Sequence, residues 1–276
     1  MIMTISIPDT LHIENSLNYI MSIRLRSDGL SFFAFIPGDK EAVVYEEAPF
    51  DSSNSLKETL EEFFYDNPFL SWNYRKIFVM IDTPFYTAVP DDAYIEKEKN
   101  RWLEFVFTTP PPQAEVIGEL WTEENIRLLF GIDKEAYTFL ARSFIDPVFI
   151  HTLSPLYSLW KRNSRITLPK QMYLYLHDKR MDVVLFDQGK LIFINSFLVD
   201  KRDDLLFYIL HIWKSCKLDQ TTDELLLTGE TERIESIMQS LSLYIRNIHP
   251  WEHPASCSSE ATKQLPIDLI ALSLCE

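Results

Sequence analysis

Glycine and cysteine are both scarce in this chain of 276 residues. Only 6 residues are glycine, against the ~7% that is average for proteins, so glycine-rich phosphate loops have little material to form from. The 3 cysteines, Cys216, Cys257 and Cys275, are too few and too scattered for a disulfide framework, and we expect reduced thiols. The sequence also lacks a Gly-x-Ser-x-Gly elbow, a Walker loop and a Cys-x-x-Cys pair. Nucleophilic catalysis therefore has no support in the sequence.

Basic residues are outnumbered by acidic ones: the chain has 26 Lys and Arg, 41 Asp and Glu, and a net charge of −15. Nucleic-acid binding normally depends on clustered Lys and Arg, and anionic lipid attracts the same residues, so we expect neither partner. No run approaches the ~18 apolar residues that cross a bilayer. The segment Met1–Ser16 lacks the basic start and apolar stretch of a signal peptide. These features predict a cytoplasmic protein.

The sequence does contain one order of elements that occurs twice, about 150 residues apart: three strands, a helix, a strand and a helix. In the first half, apolar residues alternate with polar ones from Leu17 to Leu25, the period-two pattern of a strand. Asp28-Gly29 then predicts a tight turn into a second strand. In the second half the same alternation runs from Gln171 to His177, followed by a turn at Asp178–Arg180.

The later elements follow in the same order in both halves. The first half has a predicted helix, strand and helix at Leu56–Phe64, Ile77–Ile81 and Asp91–Arg101. Their counterparts in the second half are Leu206–Trp213, Leu225–Leu227 and Thr231–Arg246. We therefore predict two α/β domains, residues 1–150 and 151–276. A final helix, which begins near Leu265-Pro266, is predicted to pack back on the first domain.

Two short segments predict connections. The basic run Lys161–Arg165 lies where the two halves meet, and we interpret it as a linker. Thr109–Pro112 contains three consecutive prolines and predicts a stiff, extended loop within the first half.

Three antiparallel strands, a helix and a further strand in each half resemble the actin-like ATPase fold, in which both lobes are of ribonuclease-H type. The segments Tyr173–Phe186 and Leu225–Glu230 more narrowly resemble a family of uncharacterised bacterial proteins assigned that fold. The resemblance implies an α/β protein with mixed sheets and two ribonuclease-H-like lobes. It implies no activity, because that family has none established.

Active members of the actin-like superfamily bind ATP through one hairpin per lobe and a glycine pair beyond a late strand. An Asp near each hairpin holds hydrated Mg²⁺, and small residues let backbone N–H groups approach the phosphates. In the first half, Ser22, Arg24 and Arg26 occupy the strand where that Asp is expected. The following turn keeps Gly29 but lacks the usual run of Ser and Thr, so this phosphate loop departs from the pattern.

The second half departs from the pattern as well. Asp178 offers a carboxylate for Mg²⁺, but Lys179 and Arg180 add bulk where backbone should meet phosphate. Thr228 and Gly229 resemble the adenosine-contacting loop, although a glutamate replaces its second glycine. The resemblance therefore makes Asp178, Lys179, Thr228 and Gly229 the candidate nucleotide-binding residues, with ATP and Mg²⁺ as a disfavoured ligand.

Two metal-dependent alternatives fit the sequence less well. A ribonuclease-H-type nuclease needs converging carboxylates, which would come from Asp178, Glu230 and Asp268. The acidic surface would repel its substrate. A metal site from His249, His253 and Cys257 has suitable residue types, but intervening prolines prevent the helix that would bring them together. We predict no bound metal and no catalytic residue.

Two functions remain as hypotheses. The first is a non-catalytic, actin-like scaffold, or pseudo-ATPase, that binds another protein. The second is a protein that binds a nucleotide or phosphorylated metabolite, with Arg24, Arg26, Lys179 and Arg180 supplying positive charge in place of Mg²⁺. Convergence of those four side chains within the cleft between the lobes would favour the second hypothesis, whereas outward-pointing side chains and a filled cleft would favour the first. The oligomeric state stays open.

Overall fold

The computed structural model describes residues 7, 10–50, 54–107, 114–165, 167–251 and 265–276. The predicted loop at Thr109–Pro112 lies outside these ranges, as do His253 and Cys257. The chain divides into two compact units. The first comprises Met1–Ser154, Ser259–Leu265 and Glu276, and the second comprises Pro155–Ser258 and Pro266–Cys275. Among the described helices, none has both the length and the apolar character needed to span a bilayer.

The elements described in the first unit are strands and three helices. The strands are β1 (Ile20–Leu25), β2 (Gly29–Ile36), β3 (Asp39–Pro49), β4 (Lys76–Ile81), β5 (Tyr86–Pro90), β6 (Ala114–Trp121), β7 (Ile126–Asp133) and β8 (Val148–His151). The helices are α1 (Leu56–Asp66), α2 (Lys99–Val106) and α3 (Lys134–Ser143).

A five-stranded sheet of order β3-β2-β1-β4-β8 forms the centre of the first unit. β2 runs antiparallel to β1 and β3, whereas β1, β4 and β8 are parallel. Because side chains alternate between the two faces of a strand, Met21 and Val79 lie on one buried face while Ser22 and Arg24 lie on the other. The predicted hairpin and the strand Ile77–Ile81 are therefore confirmed.

Helix α1 begins at a capping box. The Ser55 hydroxyl accepts the backbone N–H of Glu58, and the Glu58 carboxylate accepts that of Ser55. Leu60 and Phe63 are buried on one face of the helix. The apolar spacing in the sequence correctly predicts this helix.

A three-stranded antiparallel sheet of order β5-β7-β6 completes the first unit, and the sequence patterns do not predict it. The predicted helix Asp91–Arg101 is wrong, because Tyr94 and Ile95 have extended backbone between two short 3₁₀ turns and α2 begins only at Lys99. The Arg127 guanidinium lies 4.5 Å from the centre of the Tyr94 ring and pairs with Asp91. These contacts hold the segment in its non-helical path.

The elements described in the second unit are strands and four helices. The strands are β9 (Gln171–His177), β10 (Arg180–Asp187), β11 (Lys190–Leu198), β12 (Glu224–Gly229) and β13 (Asn247–Pro250). The helices are α4 (Leu153–Ser164), whose first two residues belong to the first unit, α5 (Arg202–Ser215), α6 (Thr231–Leu241) and α7 (Ile267–Cys275).

The second unit's sheet has the order β11-β10-β9-β12-β13 and the same strand directions as the first five-stranded sheet. Leu174, Leu225 and Ile209 belong to one buried cluster, which joins a face of this sheet to residues of α5 and α6. The predicted helix Thr231–Arg246 ends earlier, at Leu241. The chain then enters β13, an edge strand that the sequence patterns do not predict.

The predicted linker Lys161–Arg165 is wrong, because these residues form the end of α4 and the turn after it. Trp160 is fully buried and its ring stacks on Tyr173 at 5.0 Å between centroids. The Lys161 ammonium donates a hydrogen bond to the Tyr157 hydroxyl at 3.1 Å. The basic run therefore belongs to a packed helix, with positive charge in the last turn as the helix dipole favours.

The final helix α7 clusters with the second unit. The Arg162 guanidinium of α4 donates a hydrogen bond to the carbonyl oxygen of Leu274 at 3.3 Å. The Cys275 thiol lies 3.8 Å from the carbonyl oxygen of Pro155. These contacts join α4 and α7 within one unit.

Candidate functional site

The hairpin between β9 and β10 carries Asp178 and Lys179, two of the predicted nucleotide-binding residues. Both have positive φ angles, 44° and 56°. Two consecutive left-handed residues between paired His177 and Arg180 form a two-residue turn of type I′. Because such a conformation costs a non-glycine residue about 1 kcal/mol or more, the neighbouring contacts must hold this turn in place.

Gly229 ends β12 beside that hairpin and has a φ angle of 113°. A Cβ atom at this position would lie 2.0 Å from the carbonyl oxygen of Leu176, so no side chain fits. The backbone N–H of Glu230 donates to the same carbonyl oxygen at 2.9 Å. Close packing of β12 on β9 therefore explains this glycine without any ligand.

Thr228, the fourth predicted residue, is buried with 4% of its surface exposed. Its hydroxyl oxygen has no hydrogen-bond partner among the residues that the structure describes. Thr228 pairs with Tyr175 in the parallel register of β12 and β9, so both side chains lie on the same face of the sheet. This face is the opposite one from the apolar cluster.

By the resemblance described above, Glu230 takes the place of the second glycine of a nucleotide-binding loop. Its carboxylate is hydrogen-bonded to the backbone of the β9–β10 hairpin. Its Oε1 atom accepts a hydrogen bond from the backbone N–H of Asp178 at 2.8 Å. The backbone N–H of Asp178 is therefore already bonded to a carboxylate of its own unit.

His177, Arg180 and Asp182 form a buried polar network on the same face. The Asp182 Oδ2 atom lies 2.7 Å from His177 Nε2 and 3.2 Å from Arg180 Nε. The three residues are only 1–6% exposed, and the Tyr175 ring stacks on His177 at 4.0 Å between centroids. The Arg180 guanidinium is thus held by a carboxylate within its own unit.

Lys179 places its side chain in a different environment from that of Arg180. Its side chain is 81% exposed and its ammonium lies 3.5 Å from the Asp200 carboxylate, which is itself exposed. This pair contributes little to stability because solvent screens it. The structure therefore does not bring the side chains of Lys179 and Arg180 together.

The corresponding face of the first unit also carries a buried ion pair. The Arg24 guanidinium lies 3.6 Å from the Asp82 carboxylate, and both side chains are at most 3% exposed. Arg26 lies near Asp28 at 3.3 Å and near Glu47 at 3.4 Å. Both basic residues of this hairpin therefore have acidic partners within their own unit.

Packing also explains why residue 29, in the first hairpin, is glycine. A Cβ atom there would lie 2.7 Å from the carbonyl oxygen of Ala48 in β3, so the close approach of two strands requires glycine. The nearby Ser22 and Ser31 hydroxyls are buried and have no hydrogen-bond partner among the described residues. Close packing thus accounts for both Gly29 and Gly229 without a nucleotide.

The carboxylates proposed for a nuclease lie in three different settings. Asp178 is in the exposed hairpin turn, and Glu230 is bonded to its backbone. Asp268 is fully buried in α7. His249 lies in the edge strand β13, and the other two residues of the proposed metal site lie outside the described ranges.

A buried carboxylate in the first unit, Glu119 of β6, has no signal in the sequence. It accepts hydrogen bonds from the Ser154 hydroxyl at 2.6 Å, the His151 backbone N–H at 3.2 Å and the Trp121 indole N–H at 3.2 Å. Burial raises the pKa of the Glu119 carboxyl to about 7, although these three donors oppose the rise. The group therefore titrates near neutral pH.

His151, which contacts this carboxylate through its backbone, has both ring nitrogens engaged. Nδ1 accepts the backbone N–H of Leu153 at 3.1 Å, and Nε2 lies 2.9 Å from the Thr83 carbonyl oxygen. This pattern assigns the neutral tautomer with the proton on Nε2. The ring therefore joins two backbone segments and is not available as a general base.

Two sheets of this order, each with three antiparallel strands followed by parallel ones, define the actin-like ATPase fold. The chain is similar to a solved protein from Bacteroides thetaiotaomicron VPI-5482 with that fold and unknown function, at 28% identity and a TM-score of 0.81 over 96% of this chain and 99% of that one. It also shares the fold with a structure of the PilM-PilN type IV pilus biogenesis complex, at 12% identity and a TM-score of 0.54 over 92% and 97% of the two chains. The predicted fold class is confirmed.

The chain belongs to the family described as Protein of unknown function (DUF3822), whose model matches residues 8–248. No curated protein matches the sequence. The resemblance to an uncharacterised family with the actin-like fold is therefore confirmed.

Proposed function

We propose that this protein is a non-catalytic, actin-like scaffold that binds another protein, and that its phosphate loops do not hold a nucleotide. The observation that carries the proposal is the pairing of the hairpin cations. Arg24, Arg26, Lys179 and Arg180 each lie within 4 Å of a carboxylate in their own unit. Arg24 and Arg180 are held in buried pairs and offer little to a phosphate in place of Mg²⁺, whereas the exposed pair of Lys179 is weak.

The position of Glu230 supports the same proposal. A phosphate that approached the Asp178 N–H group would meet the Glu230 carboxylate, which accepts that hydrogen. Two unit charges 4 Å apart repel by about 4 kcal/mol at the effective dielectric constant typical near a protein surface. Nucleotide binding here would break this hydrogen bond and would also have to overcome that repulsion.

The fold is compatible with a protein partner, because it also occurs in the PilM-PilN type IV pilus biogenesis complex. The common strand order of the two five-stranded sheets supports an origin by internal duplication. The net charge of −15 supports a protein partner over nucleic acid or an anionic membrane surface. A cytoplasmic location is part of this proposal.

One observation favours a second candidate, a nucleotide or phosphorylated metabolite. The Thr228 hydroxyl is buried beside Gly229 and lacks a hydrogen-bond partner among the described residues. An unmade hydrogen bond of this kind costs about 1–3 kcal/mol, which a ligand would recover. The Glu230 carboxylate opposes any anionic ligand at the same place.

Isothermal titration calorimetry with Mg·ATP and Mg·ADP distinguishes the two candidates, with thermal shift as an independent readout. The scaffold proposal predicts neither binding heat nor a shift at millimolar nucleotide. Saturable micromolar binding that Asp178→Ala weakens would overturn it and favour the second candidate. A matched control is Asp187→Ala, which removes an acidic residue from the far end of β10.

A further inference from the structure

Helices α1 and α3 of the first unit border a groove of about 720 Å³. This volume lies in the range of about 300–1,000 Å³ that ligand sites occupy. We call it the α1–α3 groove. Its lining residues are Lys57, Glu61, Lys134, Glu135, Thr138, Phe139, Arg142 and Ser143.

The charges along this groove differ from those of the whole chain. Three cations line it against two carboxylates, whereas the chain carries a net charge of −15. Lys57 and Glu61 compensate each other, with 3.4 Å between their charged atoms. Lys134 and Arg142 have no ion-pair or hydrogen-bond partner for their side chains among the residues that the structure describes. Two uncompensated cations therefore face a cavity on an acidic protein.

The two cations have a regular spacing. Lys134, Thr138 and Arg142 follow at intervals of four on α3, so they lie along one side of the helix. Two turns of helix separate Lys134 from Arg142 by about 12 Å. An extended peptide places residues i and i+4 about 13 Å apart, at about 3.3 Å per residue. Two carboxylates at that spacing would match the two cations.

The groove also offers an aromatic surface. Phe139 lines the cavity between the two cations, and its ring packs against Phe64 of α1 at 5.1 Å between centroids. An apolar side chain midway between two acids would contact this ring. The combination of a central apolar anchor and charged ends is typical of peptide recognition.

We infer that the α1–α3 groove binds an extended acidic segment of a partner protein, with two carboxylates at positions i and i+4 that pair with Lys134 and Arg142. This inference rests on the proposed scaffold function and names its binding surface. Glu135 also lines the groove and repels an acidic ligand, so removal of its charge should change the affinity in the opposite direction from removal of the cations. Nucleic acid is disfavoured as the occupant because the rest of the surface is acidic.

The test uses a fluorescent, terminally blocked peptide of about nine residues, with two glutamates four positions apart and a leucine midway. Fluorescence anisotropy measures its binding to the full chain. The inference predicts saturable binding that weakens as ionic strength rises, because added salt screens the exposed pairs. A peptide with glutamine in place of both glutamates should bind at least about tenfold more weakly.

Charge reversal locates the site. The double variant Lys134→Glu, Arg142→Glu should weaken peptide binding at least about tenfold. The control is Lys97→Glu, Lys190→Glu, which changes the net charge equally at two exposed lysines outside the groove and should bind like the wild type. Glu135→Gln should strengthen binding, a direction that misfolding cannot produce.

Absence of peptide binding, or equal loss in both double variants, would overturn the inference. A titration with Mg·ATP on the same preparations separates it from the proposed function. If the peptide does not bind and the nucleotide does not bind either, only this inference is overturned. Saturable nucleotide binding overturns the scaffold proposal, whatever the peptide does.

Discussion

The buried Glu119 carboxyl should make the stability of the protein depend on pH in a direction opposite to that of most carboxylates. Burial raises its pKa from 4.5 to about 7 in the folded state. Between these two values the folded state holds a proton that the unfolded state has released. The free energy of unfolding should therefore fall as pH rises from about 4.5 to about 7, and level off above that.

The magnitude follows from the size of the shift. A difference of one pKa unit corresponds to 1.36 kcal/mol, so a rise from 4.5 to about 7 gives at most about 3 kcal/mol. The stabilisation is fully present below about pH 4.5 and is lost as pH rises through about 7. Hydrogen bonds from Ser154, Trp121 and the His151 backbone N–H stabilise the ionised form, and the pKa of about 7 already includes their effect.

Urea unfolding at about pH 5 and about pH 8 tests this prediction through the variant Glu119→Gln. The neutral amide does not titrate, so the difference in unfolding free energy between wild type and variant should change by up to about 3 kcal/mol over this range. Glu104→Gln is the control, because Glu104 is exposed on α2. A wild-type minus Glu119→Gln difference that stays constant with pH would refute the assignment of a raised pKa.

Two further substitutions test the contacts at the hairpins. Gly229→Ala should destabilise the protein by about 2–4 kcal/mol in thermal or urea unfolding, because its Cβ would meet the Leu176 carbonyl oxygen. Gly38→Ala also has positive φ but meets no atom within 4 Å, so an equal cost in both variants would contradict the close-packing argument. Arg24→Met should cost about 3–5 kcal/mol because it removes the buried ion pair between Arg24 and Asp82. Recovery of stability in Arg24→Met, Asp82→Asn is expected, and its failure would count against that pairing.

The strands and helices of the two five-stranded sheets could mostly be predicted from the sequence because their signals are local. Alternation from Gln171 to His177 and the turn at Asp178 depend on neighbouring residues only, and β9 and β10 occur there. The same reasoning gave a wrong prediction for Asp91–Arg101. Its acidic start favours a helix, but contacts with Arg127 from a distant strand hold Tyr94 in extended backbone.

The candidate site shows where local patterns stop being informative. Resemblance to the superfamily locates Asp178, Lys179, Thr228 and Gly229 at one end of the second sheet. In the structure Gly229 pairs with Leu176 of β9, and Glu230 is bonded to the Asp178 N–H group. The sequence contains no signal for the hydrogen bond from the Asp178 N–H group to the carboxylate at position 230.

Ion pairs across a sheet are equally hard to predict. The pairing of Arg24 with Asp82 depends on the register of two strands that are far apart in the chain. The charge of Lys161 indicated a solvated linker, yet the buried face of α4 outweighs that charge because Tyr157 accepts its hydrogen bond. Burial of a basic residue beside an aromatic helix face depends on tertiary packing, which a linear pattern does not contain.

The backbone amide of Asp178 provides the most direct test of the central claim that the phosphate loops do not hold a nucleotide. Nuclear magnetic resonance can follow this N–H signal in the isotope-labelled protein while Mg·ATP is added to millimolar concentration. The account predicts that the signal stays unchanged, because the Glu230 carboxylate already accepts this hydrogen. A saturable shift of the Asp178 signal, accompanied by shifts at Thr228 and Gly229, would contradict the account and identify the hairpin as a nucleotide site.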